Sequence, residues 1–112
     1  MVIDINHYVY YSSRMINVYR TNIFQEWLIG LKDTKARERI LKRIRAVQYG
    51  HFGDAKSLGG DLHELRFHFG NGYRVYYCTT KDTVIFLLNG GVKDRQTRDI
   101  QQARKLMQEI EK

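Results

Sequence analysis

The chain has 112 residues, 43% of them apolar, and carries 19 Lys and Arg against 12 Asp and Glu, a formal charge of +7. That is one domain with a modest core, and the positive surplus points either to a polyanion or acidic protein as partner or to solubility alone. No apolar run of about 18 residues is present to span a membrane, the start lacks a signal-peptide pattern, and the single cysteine, Cys78, excludes an internal disulfide and suggests a reducing, cytoplasmic compartment.

Residues 1–14 are rich in tyrosine and have no helical period. They read as an extension ahead of a second possible start at Met15, or as an extra strand or arm; the domain proper is 15–112. Ile16 to Arg20 alternates as a first strand. Thr21-Asn22 is a good N-cap pair, and a helix is predicted from about Ile23 to Leu31, with Phe24, Trp27, Leu28 and Leu31 on one stripe. Trp27 reads as core rather than as a partner's anchor.

After a turn at residues 30–33, Asp33 or Thr34 caps a second helix, Lys35 to Gln48. Ala36, Ile40, Ile44 and Val47 form its buried stripe, while Lys35, Arg37, Arg39, Lys42, Arg43 and Arg45 occupy the remaining faces. The two helices should form an antiparallel hairpin. Their basic surface is either a solvated face or a phosphate footprint, with Arg43 a candidate RNA contact in the second case. Residues 51–61 read as a Gly-rich loop without the pattern of a nucleotide-binding P-loop; Lys56 within it is a phosphate contact or simply a loop charge.

Leu62 to Gly91 reads as a three-stranded antiparallel meander. Leu65, Phe67 and Phe69 alternate with Glu64, Arg66 and His68. Gly70-Asn71-Gly72 supplies the first turn and Lys81-Asp82 the second. The sheet is expected to be apolar on one face, beneath the helical hairpin, and open on the other, where Arg66, His68 and Arg74 gather near one turn. Cys78 reads as packing rather than as a nucleophile. A last helix is expected from about Arg95 to Glu111, with Ile100, Ala103, Met107 and Ile110 as its stripe. His7, His51, His63 and His68 are scattered without zinc-site spacing, so neither metal nor cofactor is expected. The fold class is α+β: a small, mostly antiparallel four-stranded sheet, an N-terminal helical hairpin on one face, and a short C-terminal helix.

Several motifs stand in this order: F-x-x-W-L at Phe24–Leu28, A-R-x-R-I at Ala36–Ile40, G-D-x-K-x-L-G at Gly53–Gly59, E-L-R at Glu64–Arg66, G-x-G-Y-R-V-Y at Gly70–Tyr76 and L-x-G-G-x-K at Leu88–Lys93, with Gln96 and Asp99-Ile100 following. Together they resemble the RelE/ParE superfamily of toxins from toxin–antitoxin modules, closest to the HigB-like addiction module killer branch related to phage Gp49-like proteins. The resemblance spans about residues 16–105. It implies a RelE-like fold and a type II toxin held inactive by a co-encoded antitoxin, itself expected to bind DNA by helix-turn-helix, so that DNA is met only through that complex. RelE- and HigB-like members are ribosome-dependent mRNA endoribonucleases that inhibit translation. ParE-like members inhibit DNA gyrase without cleaving RNA, and an inactive homologue surviving in a repressor complex is a further possibility, so fold alone does not decide.

Metal-free RNA cleavage by the ribose 2′-hydroxyl needs a proton acceptor, charge stabilisation at the phosphate, and a proton donor for the leaving 5′-oxygen. Arg66 and Arg74 are suited to gripping the phosphate, and His68 has the intrinsic range for proton transfer. The resemblance implies a catalytic Arg74, a basic role near Arg66 and a further one at Lys93. Tyr73 and Tyr76 are candidate base-stacking residues, and Lys56, Arg95, Gln96 and Arg43 complete the RNA-binding set. Against these stand plainer roles: Arg74 as an ion-pair partner of Glu64, His68 as a surface histidine, the tyrosines as sheet packing. The chain departs from RelE in carrying Glu64 where lysine is used and in having no tyrosine in 97–112; a HigB-like mix of Arg, Lys and His fits better.

Overall fold

A computed structural model describes residues 15–80 and 84–111. Residues 1–14 and the turn expected at Lys81-Asp82 lie outside the described residues. The elements are β1 (Asn17–Arg20), α1 (Asn22–Ile29), α2 (Thr34–Gln48), β2 (Ala55–Gly59), β3 (Leu62–Arg66), β4 (Tyr73–Thr80), β5 (Val84–Val92), a 3₁₀ turn (Lys93–Arg95) and α3 (Gln96–Glu111). One sheet runs β1-β5-β4-β3-β2, with β1 parallel to β5 and every other pairing antiparallel. The helical hairpin carries the chain from the β1 edge across a face of the sheet to the β2 edge.

The helix starts follow from capping. Thr21 Oγ1 accepts from Phe24 N at 3.0 Å and donates to the Leu88 carbonyl, tying the start of α1 to β5. Asp33 Oδ1 accepts from Ala36 N at 3.1 Å and opens α2. Phe24 and Leu28 of α1 and Ala36, Ile40, Ile44 and Val47 of α2 bury against Leu65, Val75, Tyr77, Ile85 and Leu87 of the sheet. Trp27 packs onto this core, as its stripe position implied.

Two expectations are corrected. The sheet has five strands, because Ala55–Gly59 is a strand and not loop. It is largely exposed and has no apolar alternation; pairing with β3 (Ala55 with Leu65, Lys56 with Glu64, Ser57 with His63) makes it a strand, not burial. The second face of the sheet is also not open along its length. α3 has the bounds expected of it, to within a residue, but it covers that face by packing Ala103 and Leu106 on Leu62, Tyr76, Cys78 and Leu88. Cys78 is buried there, consistent with packing.

Gly90 and Gly91 allow helices to approach both faces of β5. A Cβ on Gly90 would fall inside the Trp27 ring, and one on Gly91 would fall inside the Asp99 carboxyl of α3. Gly90→Ala should therefore force Trp27 off its seat and cost about 1–3 kcal/mol, as overpacking does. Trp27 is the single tryptophan, so a denaturant titration followed by its fluorescence reads both the lowered midpoint and the altered ring environment.

Candidate functional site

Strand register places two rungs side by side at the uncovered end of the α3 face. Lys56, Glu64, Tyr76 and Asn89 stand opposite one another across β2, β3, β4 and β5, and Arg66, Arg74 and Gly91 form the next rung. Residues two apart on a strand share a face, so Glu64 and Arg66 on β3 and Arg74 and Tyr76 on β4 point the same way. Beyond them the residue 67–72 loop folds over with positive φ at Gly70 and Gly72, which glycine adopts without strain. The 3₁₀ turn after β5 closes the far side. A cleft of about 700 Å³ results, lined by Lys56, Glu64, Arg66, His68, Arg74, Lys93 and Gln96 together with the loop backbone.

Arg66 and Arg74 face each other directly in the ladder, an arrangement that like charge disfavours. Each has an acid to offset it. Arg66 donates from Nε and Nη2 to Asp54 Oδ1, at 3.2 and 2.8 Å. The other oxygen, Asp54 Oδ2, lies 2.5 Å from His68 Nε2. Arg74 is only 6% exposed; its Nε sits 4.0 Å from Oε1 of the buried Glu64, and its Nη1 donates to the Gly72 and Tyr73 carbonyls at 3.1 Å and to Phe67 O at 3.5 Å. Gln96 Nε2 donates to the same Glu64 oxygen at 3.1 Å, fixing the start of α3 to β3. Hydrogen bonds from Arg66 and then His68 hold the Asp54 carboxyl down at about 2.

Of the residues singled out from sequence, the fold brings Arg66, Arg74, His68, Lys93, Lys56 and Gln96 to this cleft. It does not bring the others. Arg43 is committed to structure: its guanidinium donates to the backbone carbonyls of Phe52, Asp54 and Arg66 and lies over the Phe67 ring. Burial lowers its pKa, with Asp54 opposing. Tyr73 lies among Trp27 and Phe69 on the hairpin face, and Tyr76 is fully buried beneath α3, where burial pushes its phenol up. Neither ring is available to stack on a base. Arg95 faces a different groove, beside Trp27 and Arg98. The possible Glu64 partnership of Arg74 is present.

Asp54 was missed. The signal for it was its spacing two residues before Lys56, which has meaning only once residues 55–59 are recognised as a strand. Among the described residues no group of three or more His, Cys, Asp or Glu is placed to hold a metal ion, and no helix is long and apolar enough to cross a membrane.

Comparison with known proteins agrees with this architecture. Residues 26–109 match the family described as phage-derived protein Gp49-like, and the chain belongs to that family. It is 42% identical over 95 residues to an uncharacterised protein of Haemophilus influenzae, covering 85% of this chain and 96% of that one. The fold is also that of the E. coli toxin RelE, seen in a double arginine-to-alanine mutant in the free state, with a TM-score of 0.66 at 20% identity over 81% of this chain and 96% of that one. The RelE-like fold and the Gp49-like relationship expected from the motifs therefore hold.

The depressed Asp54 carboxyl carries a pH consequence. Its partners hold the ionised form, so its contribution to folding is complete above the ordinary carboxylate value of 3.8 and is lost as pH falls towards about 2. A side-chain carboxyl ¹³C titration should find Asp54 at about 2, and Arg66→Ala should bring it back towards 3.8.

Proposed function

We propose that the protein is the toxin of a type II toxin–antitoxin system and that it cleaves mRNA on the ribosome, with the ribose 2′-hydroxyl as nucleophile and without a metal. The observation that carries this reading is the convergence of Lys56, Arg66, His68, Arg74 and Lys93, from β2, β3, the turn, β4 and the 3₁₀ turn, on one cleft. Two guanidiniums and two ammoniums around an imidazole suit a phosphodiester and the proton transfers of its cleavage.

In this mechanism Arg66 and Arg74 hold the scissile phosphate and stabilise the charge that builds on its non-bridging oxygens. Lys56 and Lys93, both exposed, neutralise the adjoining backbone. The 2′-oxygen bonds to phosphorus as its proton passes to a base, the bond to the 5′-oxygen breaks, and that oxygen leaves with a proton. His68 is the side chain of the cleft suited to move a proton at neutral pH. A cognate antitoxin, with an acidic segment over the same cleft, would inhibit by occupying the guanidiniums. The setting is cytoplasmic, with DNA met only through the antitoxin complex. Membership of the Gp49-like family and the RelE-like fold support this reading.

The test is to induce the protein in bacteria without its partner and map mRNA 5′ ends as growth stops. New ends within translated codons are expected, and they should disappear when ribosomes are kept off the message. Arg66→Ala should lower cleavage by about 100-fold or more, the scale of losing one charge-stabilising donor. Arg66 is a sharper choice than Arg74, whose Nη1 also braces three loop carbonyls. Growth arrest with uncut mRNA and a DNA-damage response would overturn the proposal in favour of gyrase inhibition.

A further inference from the structure

We propose that Asp54 is the positioning residue of this cleft: it holds His68 so that Nδ1, not Nε2, is the nitrogen that exchanges a proton with RNA. This inference rests on the nuclease reading. It follows from what the Asp54 oxygens touch and from how firmly the Asp54 backbone is held.

The backbone is fixed first. Asp54 O accepts from Arg43 Nη2 at 2.6 Å and from the Arg66 main-chain N at 2.8 Å. Gly53 beside it has a φ of 68° and lies close against the Arg43 guanidinium. The carboxylate thus projects from a clamped peptide between Arg66 and His68. An ionised carboxylate only accepts hydrogen bonds, so the His68 nitrogen 2.5 Å from Oδ2 must carry the proton. Neutral His68 is then the Nε2–H form with the lone pair on Nδ1, and protonated His68 presents Nδ1–H as an acid. Among the described residues Asp54 is the one hydrogen-bond partner of the His68 ring, whose side chain is 71% exposed. Without Asp54 no other described residue restrains its rotamer or tautomer by a hydrogen bond.

Lys56 from β2, Arg66 from β3, Arg74 from β4 and Lys93 from the 3₁₀ turn surround the cleft, against Glu64 and Asp94 as the acids that line it, and Asp54 reaches it through its contacts with Arg66 and His68. Asp54 is the carboxylate in contact with the His68 ring.

The test combines ¹⁵N NMR of the His68 ring with a pH profile of cleavage. The wild-type ring is expected as the Nε2–H tautomer. Asp54→Ala should give mixed tautomers and cleavage reduced about tenfold or more, with the pH profile altered in shape. Asp54→Glu should recover part of both. In a His68→Gln background Asp54→Ala should leave the remaining pH profile unmoved. A wild-type ring in the Nδ1–H form overturns the inference whatever the variants do, and so does an unchanged tautomer and pH profile in a folded Asp54→Ala protein. A wild type with the expected tautomer that cuts no RNA contradicts the nuclease function and leaves the hold of Asp54 on His68 standing.

Discussion

The fold depends on two adjacent residues without side chains in the interior of its sheet. Gly90 and Gly91 lie towards the end of β5, and their missing Cβ atoms are replaced by the Trp27 ring on one face and the Asp99 carboxyl on the other. Glycine within a strand is a local weakness, but here it lets α1 and α3 come down onto the same strand from opposite sides. Asp99 stands in the first turn of α3, where the helix dipole favours an acid, and burial raises its pKa. Asn89, just before the pair, donates to the Asp99 carbonyl and to Gln102, at 2.9 and 3.0 Å. With α3 seated in this way, Gln96 reaches Glu64, and Lys93 stands at the lip of the cleft. The L-x-G-G-x-K motif is thus a packing device whose last residue reaches the site.

The cleft is built by balancing charges that would otherwise repel. Two arginines in register need two acids, and the chain supplies one buried, Glu64, and one at the surface, Asp54. Glu64 and Arg74 are both removed from water, and either one alone would be a buried unpaired charge, costing about 3–5 kcal/mol. Gln96 and three loop carbonyls satisfy much of the remaining hydrogen-bonding capacity of this pair. A guanidinium anchored in this manner does not reorganise when an anion arrives, which is the condition for strong electrostatic stabilisation. Arg43 supports the arrangement from behind by bracing the peptide that carries Asp54.

The helices and the meander were legible in the sequence because capping residues and apolar periods coincide there, as at Thr21-Asn22 with Phe24 and Leu28, and at Asp33 with Ala36, Ile40 and Ile44. β2 was not legible, since an exposed edge strand is set by its partner's backbone and leaves no apolar period. That omission also concealed Asp54. The second covered face was not foreseen, because the apolar stripe of α3 did not by itself identify the surface it would cover. Arg66, His68 and Arg74 were found together because one turn brings the end of β3 and the start of β4 to one edge, while Lys93 came from the family resemblance. Tyr73 and Tyr76 show the limit of reading a face by alternation: both faces of β4 are buried, so neither phase of the strand points to solvent.

The chemical nature of the cut ends tests the central claim most directly. Attack by the 2′-hydroxyl within this cleft leaves a 2′,3′-cyclic phosphate on the upstream fragment and a 5′-hydroxyl on the downstream one. These ends should form on ribosome-bound mRNA with EDTA-treated toxin, added at magnesium levels that preserve the ribosome, and a single 2′-deoxy substitution at the cut position should prevent them. Fragments ending in 5′-phosphate, or undiminished cutting at a 2′-deoxy position, would contradict the assignment of this cleft to 2′-hydroxyl chemistry.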